Sequence, residues 1–121
     1  MPDLQFIEPE SFGPSTLPFS QGVRAGNLLF VAGQVGSGDG VAEQTRAALD
    51  RVRTVLAEVG GDLTNVVSAT VFLADLDDFA AYNEVWEAEF GEHRPARTTV
   101  QVSALPMPGL RVEIDCIAYV P

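Results

Sequence analysis

Apolar and polar positions alternate along the chain in a pattern that predicts two helices and five strands. From Val41 to Val59, apolar residues recur at positions 48, 49, 52, 55, 56 and 59, which is the spacing of one buried helix face. A second helical stripe covers residues 79–90, and its apolar members are Phe79, Tyr82, Val85, Trp86 and Phe90. Strand-like runs fill the remaining chain, over residues 19–24, 27–34, 65–73, 97–105 and 110–120.

This order, ββαβαββ, predicts an α+β fold in which two helices cover one face of a single mixed sheet. The length of 121 residues is that of one domain, so we expect residues 1–121 to fold as a unit. The second face of the sheet also carries many apolar residues and has no helix to cover it. A homo-oligomer that packs through its sheets is the simplest way to bury that face.

The charge balance excludes several classes of partner and chemistry. Seventeen acidic residues stand against seven arginines, with no lysine, and the formal net charge is −10. A nucleic acid or an anionic membrane requires a basic surface, so neither is an expected partner. Without lysine there is no Schiff-base chemistry on the chain, and one cysteine with one histidine does not make a metal centre. The N-terminus lacks the features of a signal peptide, which predicts a cytoplasmic protein.

Three polar residues stand where chemistry is possible. Arg97 opens a strand just after Pro95, and its guanidinium either binds a carboxylate in bidentate fashion or protects a strand end at the surface. Glu113 lies in the middle of a strand, where it is either a solvated residue or a general base at an interface. Asn83 falls inside the apolar stripe of the second helix, so its amide bonds nearby backbone or faces a pocket.

Several segments, in order and at matching spacing, resemble the RidA (YjgF-type) reactive-intermediate deaminases. The resemblance starts at Pro18-Phe19-Ser20-Gln21-Gly22-Val23 and Phe30-Val31-Ala32-Gly33-Gln34, and it continues through Tyr82-Asn83-Glu84. It is most specific in the run Pro95-Ala96-Arg97-Thr98-Thr99-Val100-Gln101-Val102 and in Val112-Glu113-Ile114. It extends over essentially the whole chain.

The resemblance implies a chorismate-mutase-like fold and a homotrimer with clefts between its subunits. Members of this family hydrolyse enamine or imine intermediates, such as 2-iminobutanoate and 2-iminopropanoate, to 2-keto acids and ammonia, without a cofactor or a metal. By position, Arg97 matches the arginine that binds the substrate carboxylate, and Glu113 matches the glutamate near the attacking water. Gly33 and Thr99 match positions whose backbone N–H groups hold the ligand, and Asn83 matches an asparagine of the cleft.

Two positions depart from the family pattern. Phe19 stands where many members have tyrosine, and Ala32 where many have serine, so two hydroxyls are missing from the expected cleft wall. Two other functions therefore stay open at this point. One is a non-catalytic trimer that binds or senses small carboxylates such as keto acids. The other is a chaperone-like oligomer with an apolar interaction surface.

Overall fold

The computed structural model describes residues 3–121, which form a six-stranded sheet with two α-helices on one face. Three single turns of 3₁₀ helix connect some of these elements, at Glu10–Phe12, Leu63–Asn65 and Leu76–Asp78. The main elements are β1 (Leu4–Ile7), β2 (Gly22–Ala25), β3 (Leu28–Gln34), α1 (Val41–Ala57), β4 (Val66–Leu73), α2 (Phe79–Phe90), β5 (Ala96–Gln101) and β6 (Val112–Tyr119). The predicted α+β class, with two helices on one mixed sheet, is confirmed.

The strands are arranged in the order β1-β2-β3-β6-β4-β5. All neighbouring pairs are antiparallel except β4 and β5, which run parallel. A parallel pair needs a crossover connection, and α2 supplies it. β5 lies at one edge of the sheet, and α2 precedes it directly in the chain.

The core lies between the sheet and the helices. Alternate residues of β6 are buried, as the sequence predicts; they are Val112, Ile114, Cys116 and Ala118. From α1, Leu49, Val52 and Leu56 meet them with almost no exposed surface. The period-2 pattern of the strand and the helical spacing of α1 therefore place their apolar sides against each other.

The opposite face, which we call the open face, carries a row of apolar side chains. Val23 of β2 is paired with Phe6 of β1 and with Phe30 of β3, and Phe30 is paired with Ile117 of β6. Paired residues in neighbouring strands point to the same side of a sheet. Phe6 and Phe30 are 64% and 43% exposed, so this row is largely uncovered in one copy of the chain.

The strands differ from the prediction at several places. The predicted strand over residues 19–24 begins at Gly22, and the one over residues 110–120 begins at Val112. The sequence pattern does not indicate β1, which has only four residues at the sheet edge and takes its form from pairing with β2. The predicted strand over residues 97–105 ends at Gln101 instead, and Val102 donates the next hydrogen bond to β4, at Leu73. Beyond it the chain forms a loop that contains Pro106 and Pro108, which have no N–H for a ladder.

Within residues 3–121, neither long helix combines the length and the apolar character needed to cross a lipid bilayer.

Candidate active site

The guanidinium of Arg97 lies among three aromatic rings on the helix side of β5. Its guanidinium carbon lies 4.9 Å from the ring centre of Tyr82, 5.1 Å from that of Trp86 and 5.7 Å from that of Phe79. The electron-rich faces of such rings attract a cation. None of the ion pairs formed within residues 3–121 includes Arg97, although the chain has seventeen acidic residues. The guanidinium is therefore held among these rings while its hydrogen-bonding edge has no carboxylate partner from residues 3–121.

Phe79 differs from its prediction. Its place in the apolar stripe of α2 predicts burial, yet the side chain is 41% exposed. The reason is that β5 is the last strand of the sheet, so no element lies beyond it to cover the start of α2. The exposed ring remains beside the guanidinium of Arg97 and against the ring of Tyr82, 5.4 Å between centroids.

Thr99 is held next to Arg97 by Tyr82. The Tyr82 ring is fully buried, and its hydroxyl shares a short hydrogen bond with the side-chain hydroxyl of Thr99. Burial raises the pKa of Tyr82, although the Thr99 hydrogen bond and the nearby Arg97 charge oppose this rise. Tyr82 therefore stays neutral at physiological pH and does not form an ion pair with Arg97.

The backbone N–H of Thr99 points to the free edge of the sheet. Val102 donates its N–H to Leu73 of β4, and in an extended strand the N–H groups of successive residues point alternately to opposite sides. The N–H groups of residues an even number of positions from Val102 therefore point to β4. The N–H of Thr99, three positions from Val102, points to the other side. Within residues 3–121 no strand pairs with this edge of β5, so the Thr99 N–H is left without a strand partner two residues along β5 from Arg97.

Asn83 lies in the pocket that Arg97 lines. This pocket has a volume of about 260 Å³, and its lining residues are Asn83, Trp86, Arg94, Pro95 and Arg97. Asn83 is half-buried, and its side chain makes no hydrogen bond to another of the described residues. Of the two possibilities left open by the sequence, the pocket is the one found. Three of the predicted site residues, Asn83, Arg97 and Thr99, thus form one group.

Glu113 and Gly33 form a second group. β3 and β6 lose their regular register between Val31 and Gln34, because Val31 is paired with Cys116 and Gln34 with Ile114. The extra residue of this bulge brings the backbone of Gly33 against Glu113. A Cβ at Gly33 would lie only 2.1 Å from Oε2 of Glu113. Glycine is therefore required here if the carboxylate is to keep its position.

Glu113 is a half-buried carboxyl whose pKa lies above its usual range. Burial is the main cause, and the negative charge of Asp115, on the same side of β6, adds to it. Asp115 in turn accepts a hydrogen bond from the N–H of Thr70, 3.2 Å away, which fixes its position. A raised pKa suits a carboxyl that exchanges protons with a reacting water. Of the other two predicted residues, Ala32 lies in the bulge and is half-buried, whereas Phe19, three residues before β2, is 50% exposed.

Gln34 fixes the bulge, and sequence analysis did not single it out. Its side-chain amide donates to the Ala32 carbonyl at 3.0 Å and to Oε1 of Gln21 at 2.8 Å. Its own oxygen accepts from Nε of Arg51, on α1, at 3.0 Å. The signal in the sequence was a glutamine that ends an otherwise apolar strand, where a buried amide needs several partners.

The two groups lie on opposite faces of the sheet in one chain. Arg97 is paired with Ala69 of β4, which is paired with Cys116, so Arg97 shares the helix side with these buried residues. Glu113 is an odd number of residues from Cys116 along β6, so it points to the open face. One small molecule cannot touch both side chains of the same copy. A site that uses both requires a second copy of the chain.

Among residues 3–121 there is no cluster of histidine, cysteine, aspartate and glutamate with the geometry of a metal site. Cys116 is buried, and burial raises the pKa of its thiol to about 12, with a smaller contribution from Asp115. The thiol is therefore protonated and cannot act as a nucleophile.

The chain is similar in sequence to proteins of one family. Residues 12–120 match the family model described as Endoribonuclease L-PSP. The human protein named 2-iminobutanoate/2-iminopropanoate deaminase is 41% identical over 109 residues, which cover 84% of this chain and 79% of that protein. A RutC family protein of Pyrococcus abyssi is 43% identical over 111 residues, covering 84% of this chain and 86% of the relative.

Crystal structures show the same fold. The Mycobacterium tuberculosis protein Rv2704, of the YjgF/YER057c/UK114 family, superposes with a TM-score of 0.90 at 39% identity, over 98% of this chain and all of that one. Escherichia coli TdcF with bound serine gives a TM-score of 0.88 at 32% identity, over 97% of this chain and 99% of that one. By sequence and by structure, the chain belongs to the Endoribonuclease L-PSP family, also known as the YjgF/RidA family.

Proposed function

We propose that this protein is an imine deaminase, which hydrolyses 2-imino acids of the 2-iminobutanoate and 2-iminopropanoate type to 2-keto acids and ammonia. The observation that carries the proposal is the state of Arg97. It is held by three aromatic rings, has no carboxylate partner among the described residues, and lies beside the outward-facing N–H of Thr99. A guanidinium fork with an adjacent N–H donor is suited to the carboxylate of a small acid.

The proposed active unit is a homotrimer with a site in each cleft between neighbouring copies. The open face supplies the apolar row of Phe6, Val23, Phe30 and Ile117, which water would otherwise cover. Because Arg97 and Glu113 occupy opposite faces, assembly through this face is also what brings one copy's Glu113 near another copy's Arg97. The assembly thus serves both burial of the sheet and completion of the site.

The proposed reaction mainly requires that the imino acid and a water molecule are held in the right relative position. Arg97 binds the carboxylate next to the C=N carbon and orients it, with the Thr99 N–H as a second donor and Asn83 at the pocket wall. Glu113 of the neighbouring copy positions a water and takes a proton from it as the water oxygen bonds to the imine carbon. Glu113 returns this proton to the nitrogen, which gives a carbinolamine. The carbinolamine hydroxyl then passes its own proton to the nitrogen through Glu113, the C–N bond breaks, and ammonia and the keto acid leave. Holding two reactants in line contributes most of such an acceleration.

The proposed hydrolysis of the imine does not require a cofactor. The imine carbon next to a carboxylate is already electrophilic, and water is the only co-reactant. The balance is one imino acid and one water giving one keto acid and one ammonia.

A second candidate is a trimer that binds small carboxylates, such as keto acids, without catalysis. The observation that favours it is the pair of missing hydroxyls, because neither Phe19 nor Ala32 supplies a hydrogen-bond donor to the cleft wall. Cleavage of nucleic acid is not favoured, despite the family description, because a net charge of −10 opposes binding of a polyphosphate backbone.

The test of the proposed function is ammonia release from freshly generated 2-iminobutanoate. The wild-type protein should accelerate hydrolysis above the rate in buffer, and Arg97→Ala should lose this acceleration. Arg46→Ala, which removes an exposed arginine from α1, is the matched control and should retain it. If the wild-type protein leaves the buffer rate unchanged while keto acids still bind, the binding function replaces the catalytic one.

A further inference from the structure

The pocket beside Arg97 contains a second arginine that no part of the proposed reaction uses. Arg94 lines it together with Asn83, Trp86, Pro95 and Arg97. The rigid Pro95 separates Arg94 from the start of β5, where Arg97 is the second residue. Both guanidinium groups therefore belong to one short segment on one side of the pocket.

The charge of this pocket is opposite to that of the protein. Its lining has two arginines and no acidic residue, in a chain whose net charge is −10. Within residues 3–121, neither Arg94 nor Arg97 takes part in an ion pair, whereas Arg53 and Arg111 each contact aspartate at 2.7 Å. Arg94 is exposed and Arg97 is half-buried, so a ligand with two negative charges can pair with both guanidinium groups, whereas a ligand with one negative charge pairs with only one of them.

Resting on the proposed function, we propose that the preferred substrates are dicarboxylic 2-imino acids, the imines that correspond to acidic amino acids. Arg97 binds the carboxylate next to the imine carbon, and Arg94 binds the carboxylate at the end of the side chain. The part of the pocket that one copy forms has a volume of about 260 Å³, which is enough room for a small dicarboxylic acid.

The other predicted cleft residues agree with these separate roles of Arg97 and Arg94. The side chains of Phe19 and Ala32 carry no hydrogen-bond donor, so they do not recognise a polar group at the end of the substrate. Asn83, which has no hydrogen-bond partner among the described residues, offers an amide donor in the same pocket. Recognition of the second carboxylate then depends on Arg94.

The experiment compares two stable products of equal chain length, 2-oxoglutarate and 2-oxopentanoate, by titration calorimetry. They differ only in the terminal carboxylate. The wild-type protein should bind 2-oxoglutarate about tenfold more tightly, because a hydrogen bond to a charged group contributes at least that factor. In Arg94→Gln this preference should fall about tenfold. Arg46→Gln removes an equal charge from the exposed surface of α1 and should leave the preference unchanged.

Three outcomes would overturn the inference: tighter binding of 2-oxopentanoate by the wild type, an unchanged preference in Arg94→Gln, or an equal loss in Arg46→Gln. The proposed function is tested separately, by ammonia release from the imines of glutamate and norvaline. If neither imine is hydrolysed but the Arg94-dependent preference holds, the ligand class stands and deamination does not. If both are hydrolysed equally well and Arg94→Gln changes nothing, deamination stands and the dicarboxylate preference does not.

Discussion

Individual residues determine whether the pocket can bind an acid. Aromatic rings hold Arg97 without neutralising it, whereas an aspartate or glutamate at the same distance would occupy the guanidinium that a ligand needs. The neutral Tyr82 serves the same purpose, since it contacts both Arg97 and Thr99 and carries no charge.

Replacing Arg97 by alanine should lower kcat/KM for 2-iminobutanoate at least 30-fold, because loss of a desolvated charge pair costs about 2–5 kcal/mol. Arg97→Lys should restore only part of the activity, since an ammonium group cannot form the bidentate contact. Steady-state kinetics measure both, and sedimentation should show unchanged assembly. Equal kcat/KM for wild type and Arg97→Ala would contradict the assignment of this site.

The pH dependence of the reaction should reflect Glu113. As a base it works deprotonated, so kcat/KM falls as the pH decreases through its pKa, and the raised pKa places this fall above the pH expected of an ordinary glutamate. Asp115→Asn removes the neighbouring negative charge and keeps an oxygen to accept from the Thr70 N–H. The pKa of Glu113 should then decrease, and the acid limb of the pH profile should move to lower pH. A limb that stays in place or moves upward would contradict this role.

Residue types and the family resemblance pointed to Arg97 and Glu113, but the sequence did not reveal their surroundings. The bond from Tyr82 to Thr99 joins a helix to a strand, and the position of Arg94 in the pocket depends on how the chain turns at Pro95. Neither follows from a periodic pattern. Phe79 illustrates the limit of such a pattern: helical spacing gives the face of a residue, but not where the sheet beneath it ends.

At the scale of elements, the bulge in β3 gives the site its shape. The predicted strand over residues 27–34 is close to the observed β3, yet a period-2 pattern contains no sign of the extra residue between Val31 and Gln34. The buried Gln34 side chain holds the Ala32 carbonyl of the bulge, and the absence of a side chain at Gly33 leaves room for the Glu113 carboxylate.

Gly33→Ala should reduce catalysis much more than stability. The backbone of Gly33 is not in the left-handed region, so alanine fits the chain, but its Cβ would displace the Glu113 carboxylate. We expect kcat to fall about tenfold or more, because small displacements of reacting groups are costly. Gly40→Ala is the control, since a Cβ there meets nothing within 4 Å. A Gly33→Ala protein with normal kcat would show that Glu113 does not act at this position.

At the scale of the whole molecule, the open face is the surface through which the proposed trimer assembles. Its apolar row was expected from the sequence, because two helices cover only one side of a sheet. The separation of Arg97 and Glu113 to opposite sides was not, since it depends on the register between β4, β5 and β6.

A charge in the middle of the open face should prevent assembly. Phe30→Glu would place an unpaired carboxylate in the apolar row, and we expect the protein to sediment as a monomer and to lose imine hydrolysis. Leu76→Glu introduces the same group at an exposed apolar residue outside the sheet and should preserve both properties. A Phe30→Glu protein that remains a trimer would show that assembly uses a different surface.

The most direct measurement is complementation between two inactive variants. Arg97→Ala and Glu113→Gln are unfolded together, refolded as a mixture, and assayed for ammonia release from 2-iminobutanoate, with mixed assembly verified by differently tagged chains. If each site takes Arg97 from one copy and Glu113 from its neighbour, about a quarter of the sites in a random mixture of trimers are intact, and activity should return to roughly that fraction of the wild type. Mixed trimers that remain as inactive as the two parent variants would contradict a site shared between copies.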